Sequence, residues 1–253
     1  MGGWNRRGRL GLWVLALGLC GTAFAGPRAA DEQYAKAAQR MIAAAEGTLA
    51  PVYTPLAREL AQTLDLAGKN GVGIDLGSGP GTLIVELCKH TELHWIDADI
   101  NPHFFPYFFA QAEAAGFSGR VSAIRADAQQ LPFRGNYADV VVSRGSFQFW
   151  PDKKKAFGEV YRVLKPGGVA YIGRGLPACM PLDVAREVRR RHGSGPKYDV
   201  DETEQQLRGI MKALDIRDYT IHRPHAENPE AVNYGIWLQF SKSTSGTKDK
   251  DVR

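Results

Sequence analysis

The stretch Gly73-Ile74-Asp75-Leu76-Gly77-Ser78-Gly79-Pro80-Gly81 places three closely spaced glycines directly after a short apolar run. Glycines in such a turn let the backbone approach a ligand closely, and the helix predicted to follow offers free N–H groups in its first turn. In open α/β sheets, ligands bind beyond the carboxyl ends of the strands. Alone, the segment predicts only a nucleotide-like ligand, and a tight turn that merely packs is the alternative.

Downstream of this turn, short apolar runs alternate with helical patterns. Such alternation predicts an α/β fold, in which a parallel sheet carries helices on both faces. The predicted strands are Val72–Leu76, Leu93–Ala98, Val121–Ala126, Asp139–Ser143 and Val169–Gly173, and the helices between them are Thr82–Lys89, Pro102–Ala115 and Lys153–Leu164.

The flanking segments extend this pattern. Residues 31–66 have apolar side chains at helical spacing, interrupted by Pro51 and Pro55, and we expect them to cover one side of the site. After residue 180 we predict helices near Leu182–Arg191 and Glu202–Leu214 and strands at Tyr219–Arg223 and Tyr234–Phe240. The predicted division is a single domain over 31–242, with a helical cap at 31–66, a core at 70–175, a C-terminal part at 180–242 and a disordered tail at 243–253.

An acidic pair ends the second predicted strand, in Trp95-Ile96-Asp97-Ala98-Asp99-Ile100-Asn101-Pro102. A carboxylate at this place can accept both hydroxyls of a ribose. Asp97 and Asp99 point to the same sheet face, because side chains alternate along a strand. We favour Asp99, which lies at the strand end. A helix N-cap is the alternative role for either residue or for Asn101.

A third segment, Arg125-Ala126-Asp127-Ala128-Gln129-Gln130-Leu131-Pro132-Phe133, follows the third predicted strand. The Asp127 carboxylate could accept a hydrogen bond from an adenine amino group, and the Ala128 N–H could donate to a ring nitrogen. Leu131 and Phe133 could pack on the ring. An ordinary capped turn is the alternative.

Two more segments complete a series of five. Tyr137–Ser146 contains Ser143-Arg144-Gly145 after the fourth strand, and Glu159–Gly168 ends a helix at Lys165-Pro166-Gly167-Gly168. In this order and spacing the five segments resemble the class I S-adenosylmethionine-dependent methyltransferases, close to the small-molecule branch that includes quinone and sterol methylating enzymes. The resemblance covers about residues 70–175. It implies a Rossmann-like, doubly wound seven-stranded sheet, mostly parallel with an antiparallel last strand.

The resemblance also implies an enzyme that transfers a methyl group from S-adenosylmethionine to a small acceptor, and it assigns the cofactor contacts by position. Asp75, Gly77, Gly79 and Gly81 would surround the methionine part, Asp99 would hold the ribose, Asp127 and Ala128 would hold the adenine, and Ser143 would lie near the sulfonium, with Arg144 and Gly145 beside it. Ser78 and Ile100 are further expected cofactor contacts. No metal site is expected.

No catalytic residue is assigned, because a general base is needed only when the acceptor is not already nucleophilic. The principal acceptor-side candidates are Tyr34, Arg144 and Trp150. Tyr53, Phe147, Gln148 and Arg174 are further candidates. Core packing is the favoured interpretation of Phe147 and Phe149 taken singly, although residues 147–150 together suggest an apolar acceptor pocket.

Two other functions use similar patterns. An NAD(P)-dependent oxidoreductase also has a glycine turn followed by an acidic residue. Against it, Pro80 stands where a pyrophosphate-binding helix begins smoothly, and the adenine and Lys-Pro-Gly-Gly segments have no role there. A non-catalytic protein that only binds S-adenosylmethionine is the other alternative.

Residues 1–25 have the layout of a secretory signal peptide or membrane anchor. Arg6, Arg7 and Arg9 precede an apolar stretch, and Ala23-Phe24-Ala25 offers small residues for cleavage. We therefore expect an exported or membrane-associated protein. A cytoplasmic protein with a misassigned start is the alternative, and it would avoid separating the enzyme from a cofactor that is made inside cells.

Composition excludes several classes of protein. The chain has 253 residues, 44% hydrophobic and 23% charged, which is typical of a globular domain. The net charge of +5 falls to near +2 without the three N-terminal arginines, so no nucleic-acid partner is expected. Three scattered cysteines favour neither a disulfide framework nor a zinc site. The oligomeric state is left open.

Overall fold

The computed structural model describes residues 27–192, 199–228, 230 and 232–244. The predicted signal or anchor at residues 1–25 and nearly all of the predicted tail lie outside these ranges. The helices are α1 (Pro27–Glu46), α2 (Ala50–Thr63), α3 (Thr82–Cys88), α4 (Phe105–Ala114), α5 (Lys153–Val163), α6 (Leu182–His192) and α7 (Val200–Ala213). The strands are β1 (Val72–Leu76), β2 (His94–Asp99), β3 (Val121–Arg125), β4 (Ala138–Arg144), β5 (Leu164–Gly175), β6 (Tyr219–His222) and β7 (Gly235–Ser241).

The seven strands form one sheet in the order β3-β2-β1-β4-β5-β7-β6. The first five strands in this order run parallel to one another, and β7 runs antiparallel to both β5 and β6. The strand order reverses between β1 and β4, because β2 and β3 lie on one side of β1 and β4 and β5 lie on the other. The predicted mostly parallel, doubly wound sheet with an antiparallel last strand is therefore confirmed.

Helices cover both faces of the sheet, because alternate side chains of each strand point to opposite sides. On one face α2, α3, α4 and α6 pack around buried side chains such as Trp95, Phe108 and Trp237. On the other face α5 and α7 pack around Ile74, Phe157 and Met211. The site lies at the carboxyl edge between these two layers.

The N-terminal helices correct one expectation. Pro51 and Pro55 do not interrupt the helical pattern, since α2 runs without a break from Ala50 to Thr63. Pro51 lies in the first turn, where its missing N–H has no helical partner to lose. Pro55 forfeits one further hydrogen bond, and the helix tolerates this because Val52 and Leu56 on either side are completely buried.

Two boundaries also differ from the sequence pattern. The segment predicted as one helix from Pro102 begins with a 3-10 turn, Pro102–Phe104, before α4 starts. Helix α5 ends at Val163, and Leu164 is already extended and pairs with Ala138. Lys165-Pro166-Gly167-Gly168 therefore forms the irregular start of β5 rather than a turn after the helix.

Within the described residues, no helix is both long and apolar enough to cross a bilayer.

Candidate active site

A cavity of about 550 Å³ opens at the carboxyl ends of β1, β2 and β4, beside the point where the strand order reverses. Helix α1 closes one side through Tyr34, Ala37 and Met41. The remaining wall comes from the loops after the strands: Leu76, Gly77, Gly79, Ala98 to Asn101, Phe104, Ala126 to Gln129, Gly145, Ser146 and Phe149 to Pro151. This volume and mixture of apolar walls with a few polar groups are typical of a small-molecule site.

The glycine turn after β1 forms part of the wall. Gly77, Gly79 and Gly81 all have positive φ, at 68°, 62° and 71°. A Cβ on Gly77 would collide with the side chain of Ser146, whereas a Cβ on Gly79 would meet nothing closer than Cγ of Met41 at 3.8 Å. Gly77 therefore permits close packing of two loops, and Gly79 leaves its backbone open toward the cavity.

Asp99 lies in the cavity wall and is hydrogen-bonded to two loops, the one after β1 and the one after β2. Its Oδ2 accepts a hydrogen bond from the Gly79 N–H at 2.8 Å, and its Oδ1 accepts one from the Asn101 N–H at 2.8 Å. Burial raises the pKa of the carboxyl group, and these backbone hydrogen bonds oppose the rise. The side chain thus ties the glycine turn of β1 to the end of β2.

Asp75 and Asp97 lie beneath the wall, where they are cross-strand partners in the register of β1 and β2. Burial raises the pKa of Asp75 to about 7, and the charge of Asp99 adds to the rise. Burial raises the pKa of Asp97 well above its usual range. Asp97 is completely buried, and its carboxylate oxygens accept no hydrogen bond from the described residues. Asp99, not Asp97, faces the cavity.

The segment after β3 supplies a neighbouring part of the wall. Asp127 and Ala128 both line the cavity. Asp127 also caps its own turn, since its Oδ1 accepts a hydrogen bond from the Gln129 N–H at 2.8 Å. Leu131 and Phe133 do not line it, contrary to expectation: Leu131 is buried in the sheet core, and the Phe133 ring stacks on Tyr137 at 5.3 Å. Ile100 contributes an apolar side chain to the wall, as expected of a cofactor contact.

Four residues expected at the cofactor lie just outside the wall. Asp75 is one of them. Ser143 is buried, and its hydroxyl donates to the Leu76 carbonyl at 2.6 Å, which joins β4 to β1 below the cavity. Gly81 packs so closely on Phe108 that a Cβ would collide with the ring. Ser78 belongs to the glycine turn but is not in the wall.

The acceptor-side candidates separate into two groups. Tyr34 and Trp150 line the cavity. Arg144 does not: its guanidinium packs over the Tyr53 ring at 5.5 Å, and its Nε donates to the Gly175 carbonyl at 3.3 Å. Tyr53 and Arg174 are not in the wall either.

In the segment 147–150, only the last two residues line the cavity. Phe147 is buried in the core, and the Gln148 amide donates to the Gly145 carbonyl at 2.7 Å. Phe149 is 71% exposed and lines the cavity, so core packing was the wrong interpretation of this residue. Trp150 is held in place by its indole N–H, which donates to Oγ of Ser146 at 3.0 Å.

Sequence reasoning missed the polar contact that seats α1 over the cavity. The Asn101 amide donates to the Tyr34 carbonyl at 2.9 Å, and its Oδ1 accepts from the His103 N–H at 3.1 Å. His103 in turn hydrogen-bonds Asp31 at 2.9 Å. Asn101 stood out in the sequence only as an N-cap candidate, and its contact with a residue 67 positions earlier has no local signal.

The sheet order with its antiparallel β7, the glycine turn and the acidic residue at the end of β2 together define the class I, Rossmann-like methyltransferase fold. Residues 74–172 match the family model described as a methyltransferase domain. Over these residues the chain therefore resembles the class I S-adenosylmethionine-dependent methyltransferases.

Known proteins similar to the chain agree with this assignment. The chain is 37% identical over 107 residues to the chloroplastic 2-methyl-6-phytyl-1,4-hydroquinone methyltransferase of Spinacia oleracea, a match covering 42% of the chain and 30% of that protein. It is 35% identical over 97 residues to a ubiquinone/menaquinone biosynthesis C-methyltransferase of Vibrio cholerae, covering 38% of the chain and 37% of that protein. These matches span about a third of the curated relatives' length.

A solved structure extends the similarity beyond this core. A proposed S-adenosyl-L-methionine-dependent methyltransferase from Methanococcus maripaludis superposes with a TM-score of 0.70 at 26% sequence identity. The match covers 84% of this chain and 95% of that one, so it includes elements on both sides of residues 74–172.

Proposed function

We propose that the protein transfers a methyl group from S-adenosylmethionine to a small apolar acceptor. The observation that carries this proposal is the composition of the cavity wall, which combines Asp99, Asp127 and the open Gly79 backbone with the aromatic side chains of Tyr34, Phe149 and Trp150. The names of the two curated relatives refer to a hydroquinone and to the biosynthesis of ubiquinone and menaquinone, and molecules of this kind fit an apolar wall.

The residues present fit the cofactor. Asp99 would hold the ribose hydroxyls, and Ala128 and Ile100 would contact the adenine beside Asp127. Gly77 and Gly79 would border the methionine part, above the negative potential of Asp75. Ser78, Gly81 and Ser143 would act by shaping the loops around the cofactor. When bound, the cofactor supplies an electrophilic methyl group on a sulfonium.

The chain's own contribution is positioning and exclusion of water. Tyr34 on α1 and Trp150 after β4 would hold the acceptor, and the Ser146 hydrogen bond fixes the indole of Trp150. Arg144 would act indirectly, since its cation lies near Asp75 and Tyr53 rather than in the cavity wall.

The sheet itself disfavours the oxidoreductase alternative. The usual dinucleotide-binding sheet has the order 3-2-1-4-5-6 with parallel strands. Here β7 inserts antiparallel between β5 and β6.

Two measurements test the proposal. Calorimetry should show binding of S-adenosylmethionine and none of NAD; binding of NAD alone would refute the assignment. Labelled cofactor should then transfer its methyl group into one of three acceptor pools: lipid, quinone or small polar molecules. Cofactor binding without transfer into any pool would favour the non-catalytic alternative.

We also propose that residues 1–25 direct the protein to a membrane or out of the cytoplasm, and that residues 31–242 fold as one domain. Cell fractionation with N-terminal sequencing of the mature protein tests the first point. Recovery of an intact N-terminus in the soluble fraction would contradict it. A single cooperative unfolding transition is expected for the second.

A further inference from the structure

The entrance of the cavity carries exposed apolar side chains on two separate loops. Phe149, after β4, is 71% exposed, and Ile100, after β2, is 46% exposed, although both belong to the cavity wall. Large apolar side chains held in water at one entrance are typical of contact with an apolar partner. The entrance therefore has an apolar edge on both of these loops.

Positive charge lies directly beside this edge. Lys153, Lys154 and Lys155 form the first turn of α5, and this turn contains no acidic residue. Cations at this end of a helix oppose its macrodipole, so this placement does not serve the helix. The Lys153 ammonium donates to the Trp150 carbonyl at 3.4 Å and so lies next to the cavity wall, and the other two lysines are exposed.

A cation also accompanies the second loop. The guanidinium of the exposed Arg125 donates through Nε to the Ile100 carbonyl at 3.2 Å. Phe149 and Ile100 therefore each have a basic residue close by. Exposed apolar side chains flanked by cations are attracted to an anionic lipid surface.

Helix α1 connects this entrance to the apolar N-terminal segment. It begins at Pro27, with one residue between it and the stretch Leu10–Ala25, and its Tyr34 lines the cavity. Tyr34 is the seventh residue after Pro27 along this helix, which corresponds to a rise of about 10 Å. An N-terminal segment held at a bilayer would keep the cavity entrance close to the same surface.

We propose that the cavity entrance docks on an anionic lipid bilayer. Phe149 and Ile100 insert at the boundary of headgroups and acyl chains, and Lys153 to Lys155 and Arg125 face the anionic headgroups. An apolar acceptor then passes from the lipid into the cavity without crossing water. Docking itself requires neither the cofactor nor methyl transfer.

The test uses the full chain with vesicles of phosphatidylcholine, with and without phosphatidylglycerol, in which part of the phosphatidylcholine is brominated to quench tryptophan. Phe149→Trp is the reporter. Phe109→Trp is the matched control, because Phe109 is 44% exposed on α4 but does not line the cavity. The added fluorescence of F149W should be quenched only when phosphatidylglycerol is present, and that of F109W should not.

A second comparison separates local charge from net charge. Lys153→Gln, Lys154→Gln and Lys155→Gln are combined, and the control combines Lys69→Gln, Lys89→Gln and Lys212→Gln, which lie away from the entrance. One lysine at an anionic surface contributes roughly fivefold to the partition coefficient, so the first triple variant should lose up to about a hundredfold and the control much less.

Equal quenching of the two reporters, or equal partition of the two triple variants, would overturn the docking. Calorimetry of each variant with S-adenosylmethionine, without vesicles, reports separately on the proposed function. A protein that binds the cofactor and ignores the bilayer would therefore refute only the docking.

Discussion

Three acidic residues at the ends of β1 and β2 have different surroundings, and this difference decides what each can do. Asp99 faces the cavity and accepts two backbone hydrogen bonds, whereas Asp97 is enclosed without any from the described residues. Asp75 lies between these extremes, with a pKa that burial raises to about 7. Only Asp99 combines an anionic acceptor with direct access to a ligand.

Replacement of Asp99 should therefore weaken cofactor binding. Asp99→Asn keeps the shape but loses the charge and one acceptor, and hydrogen bonds to charged groups contribute about 1.5–3 kcal/mol. We expect the Kd for S-adenosylmethionine to rise roughly ten- to a hundredfold in calorimetry. Asp215→Asn, which removes an exposed carboxylate paired with Arg217, is the control and should leave the Kd unchanged. An unchanged Kd for D99N would remove Asp99 from the site.

Asp75 should make cofactor binding depend on pH. A cationic ligand favours the ionised carboxylate, so binding below the raised pKa must first remove a proton. The affinity for S-adenosylmethionine should therefore increase as the pH rises toward about 7 and level off above it, by at most tenfold per unit. Asp75→Asn should flatten this dependence, and an identical profile in the variant would contradict the assignment.

The raised pKa of Asp75 affects the stability of the ligand-free protein in the opposite direction: here a higher pH is unfavourable. Between the ordinary pKa of an aspartate and about 7, the folded state keeps a proton on Asp75 that the unfolded state has lost. The contribution of this group to the free energy of unfolding therefore decreases as the pH rises through that window.

At the scale of elements, the turn between β1 and α3 places different requirements on two of its glycines, although both have a positive φ. Gly77 must lack a Cβ because Ser146 packs against it, and Gly79 must adopt a positive φ where the space around it is open. Helix α1 closes the cavity through the Asn101 contact with the Tyr34 carbonyl. The wall is therefore assembled from elements far apart in the chain.

The two glycines should respond differently to alanine. Gly79→Ala should cost about 1–2 kcal/mol of unfolding free energy, which is the cost of a positive φ for a residue with a Cβ. Gly77→Ala should cost more, because the collision with Ser146 adds to the same strain. Thermal melts of the two variants measure the difference. A smaller loss for G77A than for G79A would contradict the close packing of the two loops.

At the scale of the whole molecule, the cavity lies between α1, the sheet edge and the loop after β4, so a ligand there should stabilise all of them together. At a concentration of about 100 Kd, a ligand adds roughly 2.7 kcal/mol to the free energy of unfolding. For a domain of this size that corresponds to a rise in Tm of about 5–10 °C. Scanning calorimetry should show this rise with S-adenosylmethionine and none with NAD at the same concentration.

Much of the fold could be predicted from local patterns. The bounds of β1 were predicted to the residue, and most other strands and helices to within one or two. The larger errors came from proline: α2 absorbs Pro51 and Pro55 because tertiary burial of Val52 and Leu56 outweighs a lost hydrogen bond. Local signals describe the chain alone, and such compensation comes from other elements.

The sequence by itself determined the order of strands and helices, the glycine turn and the acidic residues that follow β1, β2 and β3, because periodicity and turn chemistry are local properties. Only the tertiary structure decided which of these side chains face the cavity. Asp99 lines the cavity, whereas Asp97 is buried and Phe149 is exposed in the cavity wall. Arg144 and Ser143 lie outside the wall, and α1 is held over the cavity by the hydrogen bond from Asn101. The physical reason is that burial and contact depend on which distant elements meet, and no short stretch of chain contains that information.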